Sequence, residues 1–359
     1  MHYLVSVAGE KDTPYQTLIC HWVDDVLVAS TPGSPDKTRF IEALTSRFEI
    51  TGGDDVTWVL NQEVIRDRAE GTLILSQRAH IRQMAEAVLG DSKTYNTTKV
   101  KSPLPADYHP KPLGNENTGM TESEQKKLGT RYRKALGMCL WIACQTRPDC
   151  QYAVGVLGKR ASKPDRADWQ AIKHLAKYIS ATEDLCLKWY RDLSASESEL
   201  KMYVDSDWGG DLNTRRSTTG FIGMYAGAPV CWSSKRQPLV AMSSMEAELI
   251  ALCAASLMTV YMRGLAEDMS IPVDGPTTVL EDNQSCIAVA ESEMQTKRQA
   301  HIPRRYFKVR ELIQGQDPEV KLQYVKSADN YADCCTKNLG PEILSGIRGH
   351  ILARRSDVG

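Results

Sequence analysis

Residues 201–248 read KMYVDSDWGGDLNTRRSTTGFIGMYAGAPVCWSSKRQPLVAMSSMEAE. Three strand-like runs stand in this stretch, 201–204 ending on Asp205, 217–225, and 229–233, separated by turn residues at Gly209, Gly210, Asn213 and Gly227. The spacing predicts a three-stranded antiparallel meander. Ser243 and Ser244 then open a segment in which Met245, Leu249, Leu252, Leu257, Val260 and Leu265 fall mostly on one helical face. A helix packed on that sheet brings Glu248 back toward Asp205. Ser243 and Glu246 stand in the S-x-x-E relation of a capping box, so Glu246 reads as structural. Glu248 lies roughly 200° around the helix from it, at about 100° per residue, and borders the buried face.

Further acids follow in the same pattern. Residues 277–280 form a β-branched run ending at Glu281-Asp282, residues 320–325 form another, and residues 330–337 (NYADCCTK) read as a final helix carrying Asp333, with Asp329 one turn away. Asp205, Glu248, Asp282 and Asp333 thus fall at strand ends and helix starts of a β-β-β-α-β-α-β-α order. Four like charges at one place require cations. Hard oxygen donors suit Mg²⁺, and two ions roughly 4 Å apart can activate water and stabilise the leaving oxygen of a phosphodiester.

The blocks YVDSDW, RRSTTG, CWSSKRQ, SSMEAELIAL, EDNQSCIA and YADCCTK, in this order, resemble the ribonuclease H domain of the copia-type LTR-retrotransposon Pol polyprotein. The resemblance implies an α/β fold with a five-stranded mixed sheet and hydrolysis of the RNA strand of an RNA/DNA hybrid. It implies that Asp205, Glu248, Asp282 and Asp333 hold two Mg²⁺ ions, with Mn²⁺ as a substitute, and leaves Asp329 as the alternative fourth acid. The rest of the Pol polyprotein is the expected protein partner; no small-molecule cofactor is expected.

HWVDDVLVAS, at residues 21–30, resembles the YVDD block of reverse transcriptase, with Trp22 in place of tyrosine. By that analogy Asp24 and Asp25 face polymerase metals, at a bend between two buried halves of a long strand. The family draws a further aspartate and its fingers from upstream, so no DNA synthesis is expected from this chain alone. The predicted organisation is a truncated palm end and thumb start (α+β, 1–94), a Pro-rich linker (95–121), a helical thumb and connection (122–195), the ribonuclease H domain (196–340) and a tail (341–359). A strand is expected over 56–65, and Asp149 of the Arg147-Pro148-Asp149 turn is expected to cap the next helix.

A net charge of −1 gives no global attraction to nucleic acid, so binding must be local. Residues 297–310 (KRQAHIPRRYFKVR) contain no acid, and Arg304, Arg305 and Lys308 are candidate phosphate contacts, as are Arg215 and Arg216 beside the Gly209-Gly210 turn. His301 stands where the family has K-H-I-D and reads as a helix cap or phosphate contact. Tyr203 and Trp208 read as core aromatics. The ten cysteines include no C-x-x-C pair, which argues against a zinc site or a disulfide framework. Without a long apolar run or signal pattern, the chain is expected to be intracellular and not membrane-bound, in cytoplasmic virus-like particles or the nucleus. The alternative reading is an inactive element remnant that at most binds nucleic acid.

Overall fold

Short apolar runs near the N-terminus pair as a three-stranded antiparallel sheet of β1 (Val5–Val7), β2 (Thr17–Trp22) and β3 (Asp25–Ser30). The computed structural model describes residues 5–7, 16–53, 55–90, 100–112, 120–194, 198–292 and 304–355. The expected long strand is a hairpin instead: Val23, at φ 51°, and Asp24 make a two-residue turn, and Trp22 faces Asp25. Its flanks are not buried, since Val23 is 69% exposed and Val26 and Leu27 are also exposed. Helix α1 (Pro35–Thr45) follows and buries no residue.

Leu60 and Asn61 both adopt left-handed backbone (φ 47° and 60°), the conformation of a two-residue hairpin turn. They split the expected strand into β4 (Trp58–Val59) and β5 (Gln62–Asp67), which pairs with β6 (Thr72–Ser76). The helical region comprises α2 (Arg78–Leu89), α3 (Glu122–Gln145), α4 (Gln151–Gly158) and α5 (Arg166–Ala181). Thr121 with Glu124 and Asp165 with Asp168 form capping boxes that fix where α3 and α5 begin. Ile81, Met84, Tyr132, Ile142, Leu157 and Leu175 fill the core between these helices.

Asp149 is not a helix cap. It is buried and paired with the equally buried Arg147 at 2.8 Å, and it accepts from the Tyr178 hydroxyl at 2.6 Å. Burial opposes its ionisation, but the Arg147 guanidinium outweighs it and holds the carboxyl below its ordinary range. The Pro-rich stretch is not a free linker where described: Leu104 is buried, Tyr108 donates to Asp168 at 2.7 Å, and Arg160 donates to the Lys111 carbonyl at 2.9 Å. Proline lowers the entropy lost when such a segment lies along a helical surface.

Strand β7 (Leu185–Tyr190) lies antiparallel to β6. Beyond it come β8 (Lys201–Asp207), β9 (Thr218–Tyr225), β10 (Ala228–Arg236), α6 (Ser244–Asp268), β11 (Thr277–Glu281), α7 (Gln284–Glu291), α8 (Arg304–Gln314) and β12 (Val320–Tyr324). The sheet runs β10-β9-β8-β11-β12, antiparallel across the first three strands and parallel across the last three. This is the five-stranded mixed sheet that the sequence leads one to expect. Leu249, Leu252 and Ala255 of α6 pack on Met202, Val204 and Phe221 of the sheet. Contrary to expectation, α6 is apolar and long enough to cross a membrane by composition; here it is packed against β8 and β9.

The segment expected as a last helix is a tight 3-10 turn, Tyr331–Cys335, because the buried Asn330 both accepts from Ala332 N and donates to the Val204 carbonyl at 2.8 Å. The turn presses on β9 where Gly220 stands opposite Asp205. A Cβ at Gly220 would lie 2.9 Å from Cys335 Cβ and 3.2 Å from the Ala332 carbonyl oxygen. Gly220→Ala is therefore expected to cost about 1–3 kcal/mol in urea melts; an unchanged midpoint would show that the turn gives way freely. The expected tail is also folded: α9 (Pro341–Ile351) buries Leu344, Ile347 and Ile351, and β13 (Ala353–Arg354) pairs with β7.

Candidate metal centre

The parallel neighbours β8 and β11 end side by side, and α6 begins above them. Asp205 near the end of β8, Glu248 in the second turn of α6 and Asp282 just after β11 each offer a carboxylate oxygen, and these oxygens lie within 4.8 Å of one another. Asp205 and Glu248 are buried and Asp282 is half-buried. Among the described residues no other group of three such side chains comes this close.

Asp333 joins through a cation. Lys337 Nζ lies 3.2 Å from Asp205 Oδ1 and 2.8 Å from Asp333 Oδ1, one helical turn of spacing putting the amine back over its own aspartate. The Thr336 hydroxyl donates to Asp205 Oδ2. Asp329, the alternative fourth acid, is exposed.

The electrostatics follow from burial of like charges. Glu248 is pushed up to about 10, first by burial and then by Glu281, Asp205 and Asp282. Glu281 is pushed up to about 8, mainly by burial, against a bond from Asn283 N to its Oε1 at 2.9 Å. Asp333 rises to about 6 through burial and Asp205. Lys337 is raised although burial opposes it, because Asp205 and Asp333 face it.

Glu281 is the acid that sequence reasoning misses. It is 0% exposed, whereas the motif pattern points to its neighbour Asp282. The signal is present in the Glu-Asp doublet at the end of an apolar strand, where Glu281 is the last strand residue and Asp282 the first beyond it. Glu248 Oε2 and Glu281 Oε2 are buried without a hydrogen-bond partner among the described residues. Orphaned, buried carboxylate oxygens in an all-oxygen donor set fit a hard divalent cation.

No family model matches the chain. The Retrovirus-related Pol polyprotein from transposon TNT 1-94 of Nicotiana tabacum is 29% identical over 320 residues, covering 88% of this chain and 23% of that protein. A transposon Ty5-1 protein of Saccharomyces cerevisiae is 30% identical over 233 residues, 65% of this chain and 70% of that one. The chain belongs to the Pol polyprotein family of copia-type retrotransposons. It spans less than a quarter of the tobacco Pol polyprotein. Among solved structures, LC11-RNase H1, isolated from compost, is 16% identical, with 42% of this chain and 97% of that one covered and a TM-score of 0.31.

The other candidate residues of this Pol-family chain are dispersed. Asp24 and Asp25 lie exposed at the hairpin turn, and no third acid joins them among the described residues. Arg215 is exposed in left-handed backbone (φ 54°) and Arg216 is half-buried, both on the loop between β8 and β9. Lys308 is paired with Glu311 at 3.4 Å on α8. Arg304 and Arg305 begin α8 with side chains outside what the structure describes, and His301 lies outside the described residues. Tyr203 stacks on Tyr331 at 4.4 Å, but Trp208 is not a core residue: it is 54% exposed, its indole N–H donating to the Ala241 carbonyl at 3.1 Å.

Proposed function

We propose that this chain carries the ribonuclease H of a Pol polyprotein, hydrolysing the RNA strand of an RNA/DNA hybrid with two Mg²⁺ ions, for which Mn²⁺ can substitute. The convergence of Asp205, Glu248 and Asp282 on the ends of β8 and β11 carries the proposal. Asp205, Glu248 and Asp282 would hold one ion, and Asp205 with Asp333 would hold the other. When bound, such ions activate water for attack on a phosphodiester and stabilise the departing 3′ oxygen.

The chain's own residues do the rest. Packing of α6 on the sheet keeps Glu248 out of bulk water, and Thr336 fixes the orientation of Asp205. Trp208, three residues after Asp205, and Arg215 on the same connection to β9 are both exposed, and so open to a base or sugar face and to a phosphate. The 2′ hydroxyls of an A-form-like minor groove distinguish RNA from DNA. Incubating the purified chain with an end-labelled hybrid is expected to cut the RNA strand in Mg²⁺, leave the DNA strand intact, and stop in EDTA. An RNA strand that survives saturating Mg²⁺ and Mn²⁺ refutes the proposal.

A further inference from the structure

Away from the acid cluster, β7, β13, α9 and the β9–β10 turn enclose a cleft of about 520 Å³. Lys188, Arg348 and Arg354 are among the residues that line it, with His350, and no Asp or Glu is. Their charges are poorly neutralised. Lys188 has no carboxylate partner among the described residues; its amine sits 5.1 Å over the Tyr190 ring. Arg348 likewise forms no ion pair there and donates only to the Tyr178 hydroxyl, at 3.3 Å. Asp149, whose field Arg348 feels, is already paired with Arg147 at 2.8 Å. Only Arg354 has a carboxylate, Asp184 at 3.1 Å, and its side chain is still 59% exposed.

In a chain with a net charge of −1, Lys188, Arg348 and Arg354 around one opening make a local positive surface. We infer that this cleft binds the phosphodiester backbone of nucleic acid, as a second contact apart from the acid cluster. The inference rests on the ribonuclease H reading only for the nature of the anion; the cluster of cations stands without it. Two features favour a backbone over a small anion. The cleft is open and walled by separate elements, with Lys188 on β7, Arg348 on α9 and Arg354 on β13, as a strand crossing several elements would meet them. It also connects to the metal centre through stacked rings: His350 lies on Tyr331 at 5.1 Å, and Tyr331 on Tyr203 of β8 at 4.4 Å, two residues before Asp205. A strand held in the cleft would therefore be held by an element packed on the turn that carries Asp333. The contact reads no sequence, since phosphates carry none.

The test is equilibrium binding in EDTA, so that no strand is cut, by fluorescence anisotropy of a labelled hybrid over a series of salt concentrations. Removing one cation that neutralises a phosphate should flatten the plot of log K against log salt by about 0.9. Lys188→Gln is expected to lower the slope by about that amount, and Lys188→Gln with Arg348→Gln by about twice it, with roughly tenfold weaker binding of hybrid and of DNA duplex alike. Lys188→Gln alone keeps the test open should removal of the Arg348 to Tyr178 bond disturb folding. Unchanged slopes in variants with wild-type melting curves overturn the proposal. So does a wild-type melt raised by millimolar inorganic phosphate, with that rise abolished in the variants while hybrid affinity is not, because the cleft would then be a small-anion site. RNA cleavage is measured in parallel: a chain whose variants flatten the slope but that never cuts RNA refutes the ribonuclease reading and leaves the cleft standing.

Discussion

Asp205→Asn is expected to lower kcat/KM for the RNA strand by on the order of 10³-fold in saturating Mg²⁺, equivalent to about 4 kcal/mol of transition-state stabilisation. Asp205 is the one residue through which every other part of the centre connects. It belongs to the triad with Glu248 and Asp282, it shares Lys337 with Asp333, and Thr336 donates to it. Asparagine keeps the volume and can still accept from Thr336, so the sheet and the 3-10 turn should survive, while the negative charge is gone. Glu248, Glu281 and Asp333 are each raised in part by Asp205, so the metal-free variant should hold these three more easily as anions. Loss of activity would then come with an unimpaired melting temperature, separating a chemical defect from an unfolded one. Activity within tenfold of wild type would remove Asp205 from the reaction.

What the sequence reveals and what it hides divide along physical lines. Asp205, Glu248 and Asp282 are legible because each sits where a local pattern changes period, from alternation to turn or from turn to helix, and such boundaries are set by nearby residues. The linkage of Asp333 is not. Its partner Lys337 is four residues on, a spacing visible in any sequence, but that the pair closes on Asp205 depends on Gly220 letting the 3-10 turn approach β9. Residues 341–355 look uninformative alone because β13 is two residues long and takes its identity from its partner β7, far away in the chain. Asp24 and Asp25 fail the opposite way. Their apolar neighbours promise burial, but Val23, Val26 and Leu27 find no cover among the described residues.

Without metal, the chain is expected to lose stability as pH rises from about 5 to 9, and Mg²⁺ to remove most of that slope. The sign follows from Glu248. Its ordinary value is 4.5 and its folded value about 10, so across that interval the folded state keeps a proton that the unfolded state has released. The stability is fully present below 4.5 and declines by up to about 1.4 kcal/mol per pH unit until the folded value is passed. Glu281 adds to the decline up to about 8, and Asp333 between 3.8 and about 6. Metal ligation needs Glu248 ionised, and a dication beside Glu281 favours its ionised form as well, so binding Mg²⁺ near neutral pH is expected to draw protons from both. Calorimetry in buffers of different ionisation enthalpy should count more than one proton released per chain at pH 7, and fewer at pH 9, where Glu281 is already ionised. Glu248→Gln, neutral at every pH and close in shape, should abolish most of the pH slope in metal-free melts and weaken Mg²⁺ binding together. A metal-free melt that is flat between pH 5 and 9, with no proton release on adding Mg²⁺, would mean that water reaches the carboxylates and that packing of α6 on the sheet does not set their ionisation.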